Sequence, residues 1–96
     1  MAAVEQTIPA SRGRTLRNAL AAVIRQRRQA KQLNQGELGF ASRLARNYIS
    51  RVELGNSSPT VDSLSRIASA LGESTSSLLA QAEGLQREGA MRARKR

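Results

Sequence analysis

From Leu16 onward, the apolar residues Leu16, Leu20, Val23 and Ile24 recur at i, i+4, i+7 and i+8, the period of an amphipathic helix. Thr15 and Ser11 are candidate N-caps for it, and the pattern carries to about Lys31. Asn34-Gln35-Gly36-Glu37 then places a capping residue three positions ahead of a glutamate, the signature of a capping box. The short second helix it opens should turn Leu38 and Ala41 inward, with Gly39 allowing another backbone to approach. A third helix, from about Arg46 to Leu54, sets Ile49 and Val52 on one face and stops at Gly55. Gly55-Asn56-Ser57-Ser58-Pro59 reads as a loop. Thr60 caps a fourth helix in which Val61, Leu64, Ile67, Ala68 and Leu71 keep helical spacing up to Gly72. Ser74 caps a fifth, with Leu78, Leu79 and Ala82 inward. After Glu83 the apolar pattern fades, and Gly84 and Gly89 interrupt a polar, basic stretch that reads as frayed or disordered. No segment alternates with period two, so the fold class is all-α. The expected organisation is a flexible arm over 1–11, a compact five-helix domain over 12–82 and a basic, disordered tail over 83–96.

Charge sharpens this picture more than composition does. Residues 1–33 carry Arg12, Arg14, Arg17, Arg25, Arg27, Arg28 and Lys31 against Glu5 alone. Residues 34–82 balance Arg43, Arg46, Arg51 and Arg66 against Glu37, Glu53, Asp62 and Glu73. Residues 83–96 add five basic groups and two acids, giving segment charges of +6, 0 and +3. A neutral middle between basic ends describes a core whose periphery approaches a polyanion. For Arg92, Arg94, Lys95 and Arg96 the plain alternative is a solubilising end.

The 96 residues suffice for one small domain, and they contain neither cysteine nor histidine. Zinc sites, disulfides, thiol nucleophiles and imidazole acid–base chemistry are thereby excluded. No Ser-x-x-Lys motif and no glycine-rich phosphate loop occurs, and the seven carboxylates are scattered, so no enzymatic constellation emerges. No cofactor is expected. The longest apolar run, Ala19 to Ile24, is far too short to cross a bilayer, and Met1 to Pro9 has no hydrophobic stretch of a signal peptide. The expectation is a soluble cytoplasmic protein without a membrane partner, associated with the nucleoid if it binds DNA.

The third helix carries the chemistry. At about 100° per residue with Arg46 at zero, Ser50 falls near 40°, Asn47 near 100° and Arg51 near 140°. Tyr48, Val52 and Ile49 fall near 200°, 240° and 300°, so one face is apolar and anchors to the core. The opposite face offers two guanidinium forks, an amide and a hydroxyl, with no carboxylate among them. Arginine pairs with guanine O6 and N7, and asparagine with adenine N6 and N7, so this face suits a major groove. A solvated helix face is the bland alternative.

These residues fall into a known order. Arg25-x-x-Arg28, Leu33-x-Gln35-x-Glu37-Leu38, Tyr48-Ile49-Ser50-Arg51-Val52-Glu53-x-Gly55, Pro59-Thr60 and Ile67-Ala68-x-Ala70-Leu71-Gly72 together resemble the Cro/XRE family of helix-turn-helix regulators. The match runs without a gap from about Leu20 to Leu79. The resemblance implies a phage-repressor-like five-helix domain whose second and third helices form the reading unit. It implies base contacts from Arg46, Asn47, Ser50 and Arg51. Phosphate contacts are implied for Gln35 at a helix N-terminus and for Arg43, Tyr48, Asn56, Ser57 and Ser58. Arg28 and Glu53 match a partly buried ion pair between the first and third helices. A double-stranded DNA operator, usually palindromic, and a homodimer are the implied partners. Two alternatives stay open: a protein-interaction module, such as the antitoxin of a toxin–antitoxin pair, and a restriction–modification controller.

Departures from the family pattern carry their own expectations. Gln32 and Arg43 replace glycines, which predicts a first helix without an easy left-handed stop and a turn altered in detail. Ala45 replaces a capping Ser or Thr, a loss of about 1 kcal/mol unless another group caps the third helix. Glu73 and Ser77 stand where larger or apolar residues often support the fifth helix or a dimer contact.

Overall fold

The computed structural model describes residues 15–94, which form five helices and, among the described residues, no strand. They are α1 (Leu16–Ala30), α2 (Gln35–Ser42), α3 (Arg46–Glu53), α4 (Val61–Ala70) and α5 (Thr75–Arg94). The expected arm over 1–11, which includes Ser11, lies outside the described residues, as do Arg12 and Arg14 of the expected domain and Lys95 and Arg96 of the expected tail.

Side-chain caps open four of the helices. Thr15, Asn34, Thr60 and Ser74 accept from the backbone N–H groups of Asn18, Glu37, Ser63 and Ser77. At α2 the Glu37 carboxylate also accepts from the Asn34 N–H at 2.8 Å, which completes the capping box. At α3, Ala45 supplies no side-chain cap.

The first four helices all close on a left-handed residue. Glycine fills that place only at Gly55 and Gly72, while Gln32 sits at φ 59° and Arg43 at φ 60°. Gln32 therefore closes α1 in the conformation that glycine would adopt more cheaply. Leu33 N–H donates to the Arg28 carbonyl at 3.2 Å, and Gln32 N–H to that of Gln29 at 2.9 Å. Arg43 does the same for α2, with Leu44 N–H donating to the Gly39 carbonyl at 2.8 Å. Each non-glycine residue in this region costs about 1–2 kcal/mol.

α1, α4 and α5 build the core with Ala19, Leu20, Val23, Ile24, Leu64, Ile67, Leu71, Leu78 and Ala82, and the reading unit inserts Leu38, Ile49 and Val52. α1 packs most extensively on α5, and α2 bridges α3 and α4. Gly39 permits the tight α2–α3 turn: a Cβ there would lie 2.7 Å from the Leu44 carbonyl oxygen.

Several expected inward positions are corrected. Ala41 is exposed, and Ser42 takes the buried place, its hydroxyl donating to the Leu38 carbonyl at 2.7 Å. The buried arc of α2 runs through Leu38, Ser42 and Gly39, and Ala41 lies about 60° to the other side of Leu38. Val61 is 79% exposed and Leu16 37%, because the first turns of α4 and α1 overhang the edge of the core. The helical pattern also does not fray at Glu83. α5 continues to Arg94, with Leu85 packed against the core and helix formers such as Leu, Gln, Arg and Glu outweighing the cost of Gly84 and Gly89.

Candidate nucleic-acid interface

Three helices meet at Glu53. Arg28 of α1 donates Nε to Oε2 at 2.7 Å and Nη2 to Oε1 at 2.9 Å, a bidentate pair. Its remaining arm donates from Nη1 to the Leu33 carbonyl at 2.7 Å. From α2, the Gln35 amide donates to Glu53 Oε1 at 3.1 Å. Only 2% of the Glu53 side chain and 11% of the Arg28 side chain remain accessible. The hydrogen bonds to Glu53 outweigh the cost of burial and hold the Arg28 guanidinium more firmly protonated than usual. No buried side-chain nitrogen or oxygen lacks a partner among the described residues. The start of α2 is thereby fastened to the end of α3, and both to α1.

Burial on α3 follows the angular arrangement. Ile49, Val52 and Glu53 are buried and Tyr48 is half-buried against the core, while Arg46, Asn47 and Arg51 are exposed and Ser50 is half-exposed. Glu53 is the sole carboxylate of α3 and is consumed by Arg28, so the exposed face presents cations and neutral hydrogen-bonding groups alone. Arg51 is held on two sides. Its Nε donates to the Ser57 hydroxyl at 3.3 Å, and its guanidinium carbon stands 5.7 Å from the centre of the Tyr48 ring.

The remaining sequence-predicted positions surround this face unequally. Asn56 and Ser58 are exposed and Ser57 is half-buried in the loop after α3. Gly55 at φ 78° lets that loop fold against α1, where a Cβ would clash with the Asn18 amide oxygen. Gln35 commits one amide proton to Glu53 and keeps the other. Arg43 lies elsewhere: with Arg66, Ser65 and Ser69 it lines a shallow cavity of about 370 Å³ between the α2–α3 turn and α4. Arg66 had no signal beyond its charge in the sequence. The same holds for Arg17, which α1 brings beside Ser58 and Pro59 in a second groove. Among the described residues no group of acidic side chains stands close enough to hold a metal ion, and no helix is long and apolar enough to cross a membrane.

A short helix with a carboxylate-free polar face, locked at a fixed angle to a preceding capped helix across a left-handed turn, defines a helix-turn-helix DNA-binding regulator. The family profile described as helix-turn-helix matches residues 24–78. The chain belongs to the Cro/C1-type helix-turn-helix family, also called the XRE family. Two crystal structures of the clp gene regulator ClgR from Corynebacterium glutamicum are similar to it. One is 34% identical with a TM-score of 0.72, covering 77% of this chain and 95% of that one. The other is 33% identical with a TM-score of 0.73, covering 84% and 83%. The apo competence regulator ComR from Streptococcus vestibularis is 30% identical with a TM-score of 0.65 over 69% of this chain, which spans 22% of ComR. Comparison with curated protein sequences finds no match.

Proposed function

We propose that the protein is a transcriptional repressor that binds a palindromic operator as a homodimer and acts on its own promoter. The observation that carries this reading is the exposed face of α3, where Arg46, Asn47, Ser50 and Arg51 stand without a free carboxylate. In the major groove, Arg46 and Arg51 would pair with guanine and Asn47 with adenine, and Ser50 would contact either. Gln35, Arg43, Tyr48, Asn56, Ser57 and Ser58 would touch phosphates and fix the docking angle, with Arg17 joining them beside Ser58. Arg92, Arg94, Lys95 and Arg96 would add sequence-independent attraction. Such a protein works in the cytoplasm, on the nucleoid.

One domain of this size reads few base pairs. Pairing two reading helices about one DNA turn apart, roughly 34 Å, supplies both affinity and two-fold specificity. The partner copy would pack along α5, around Ser74 to Leu85. An apolar groove of about 280 Å³ bordered by Leu16, Val61 and Leu79 supports that placement. Selection from a random duplex pool, followed by footprinting on the gene's own promoter and sedimentation of the complex, tests the reading. Two chains on a palindrome are expected. A single chain on an asymmetric site would overturn the dimer, and an unenriched pool would overturn sequence-specific binding.

A further inference from the structure

We infer that Ser57 and Tyr48 set which edge of Arg51 faces the DNA, so that a loop residue remote from the base edges determines specificity. The inference rests on α3 being the reading helix.

A guanidinium offers several donors on two edges: one edge contains Nε, and the terminal edge carries Nη1 and Nη2. Arg51 spends Nε on the Ser57 hydroxyl, and its guanidinium carbon lies over the Tyr48 ring. Neither terminal nitrogen is hydrogen-bonded to protein among the described residues. What remains available is the terminal pair, the fork that fits guanine O6 and N7. Arg46, at the other end of the face, is exposed and has no side-chain hydrogen bond among the described residues, so it must be ordered by the DNA itself. Ordering a long side chain in advance removes that entropy cost from binding. Arg51 is therefore the more discriminating of the two arginines.

Ser57 can do this while touching the backbone. Its oxygen accepts from Arg51 Nε, and its own proton is left to donate to a phosphate. The loop that follows α3 would then register the base contact against the phosphate contact.

The test is selection from a random duplex pool with the wild-type protein, Arg51→Ala, Ser57→Ala, Ser57→Thr and Tyr48→Leu. Arg51→Ala should abolish a guanine preference at one position of the enriched site. Ser57→Ala should weaken the preference at that same position about 3- to 10-fold. Ser57→Thr, which keeps the hydroxyl, should restore it. Tyr48→Leu, which keeps apolar bulk but removes the ring, should weaken it as well. The double variant Arg51→Ala/Ser57→Ala should match Arg51→Ala at that position. If Ser57→Ala retains the full guanine preference, whatever its overall affinity, the inference is overturned while α3 remains the reader. If Arg51→Ala leaves the enriched site unchanged, the reading helix itself is wrong and the inference falls with it.

Discussion

Arg28 and Glu53 face each other across the α1–α3 contact through two hydrogen bonds of 2.7 and 2.9 Å, one to each carboxylate oxygen. Burying both charges costs desolvation, which the bidentate geometry and the added bonds from Gln35 and to Leu33 offset. Removing one member leaves the other buried without its partner. Arg28→Ala and Glu53→Ala should each lose about 3–5 kcal/mol of stability, and the double replacement should be much milder than their sum. Urea melts of the three variants measure this. Additive losses would show that the two charges do not depend on each other.

Glu73 joins a second network. Arg27 of α1 donates to one carboxylate oxygen, while Gln81 at 2.7 Å and Ser77 at 3.2 Å donate to the other. Burial pushes this carboxyl up, but the hydrogen bonds from Gln81 and Arg27, the Arg27 charge and the Ser77 hydroxyl prevail and hold it below its ordinary value of 4.5. A depressed folded value adds stability above the unfolded pKa, and that stability fades as pH falls from about 4.5 through the folded value. Glu73→Gln should therefore be less stable than wild type at neutral pH. The two stability curves should converge on acidification. Parallel curves below pH 5 would contradict a role for the Glu73 charge.

Gln32 and Arg43 both occupy left-handed backbone, at φ 59° and 60°. Glycine relieves the steric cost but loses more chain entropy on folding, so each replacement should gain a net of about 0.5–1 kcal/mol. Gln32→Gly should raise the melting temperature and leave DNA binding unchanged. Arg43→Gly should raise it similarly while lowering the salt slope of DNA binding by about 1, the mark of one lost phosphate contact. An unchanged slope would remove Arg43 from the phosphate set, and its place beside Arg66 would then have another purpose.

The five helices were legible because their signals are local: caps at Thr15, Asn34, Thr60 and Ser74, and apolar spacing through Ile24, Leu64 and Leu78. Sequence and structure part where tertiary placement decides. Ala41 and Ser42 are adjacent on α2, and only the position of α4 and of the turn settles which is enclosed. Val61 keeps the apolar period, yet on α4 the core begins only one turn after it, at Leu64. For α5, composition suggests a loose segment from Glu83 onward, because glycines weigh heavily in a short window and the packing of Leu85 against the core does not appear there. On the candidate interface, the exposed face of α3 followed from its angular pattern. The Arg51–Ser57 bond and the position of Arg17 beside Ser58 depend on how the loop after α3 folds back, which the five residues Gly55-Asn56-Ser57-Ser58-Pro59 do not encode by period.

Reading and adhesion should separate experimentally. Base contacts discriminate between sites, whereas phosphate contacts release counterions and weaken steeply with salt, by about 0.9 in the logarithmic slope for each phosphate neutralised. Arg51 lies on the exposed face of α3, and Arg51→Ala should lose about 1–3 kcal/mol of discrimination at one base pair. The basic groups at 92, 94, 95 and 96 are crowded at the end of the chain, away from any base-reading pattern. Replacing all four with glutamine removes the charge and keeps helix-forming side chains. That variant should bind the selected duplex and a scrambled one more weakly by the same factor, with a flatter salt dependence and an unchanged base preference. Titrations of both duplexes at several salt concentrations yield the two quantities together. Equal losses on the two duplexes for Arg51→Ala would make it a phosphate ligand, and an unaltered salt slope for the glutamine variant would make the end of the chain a solubilising segment.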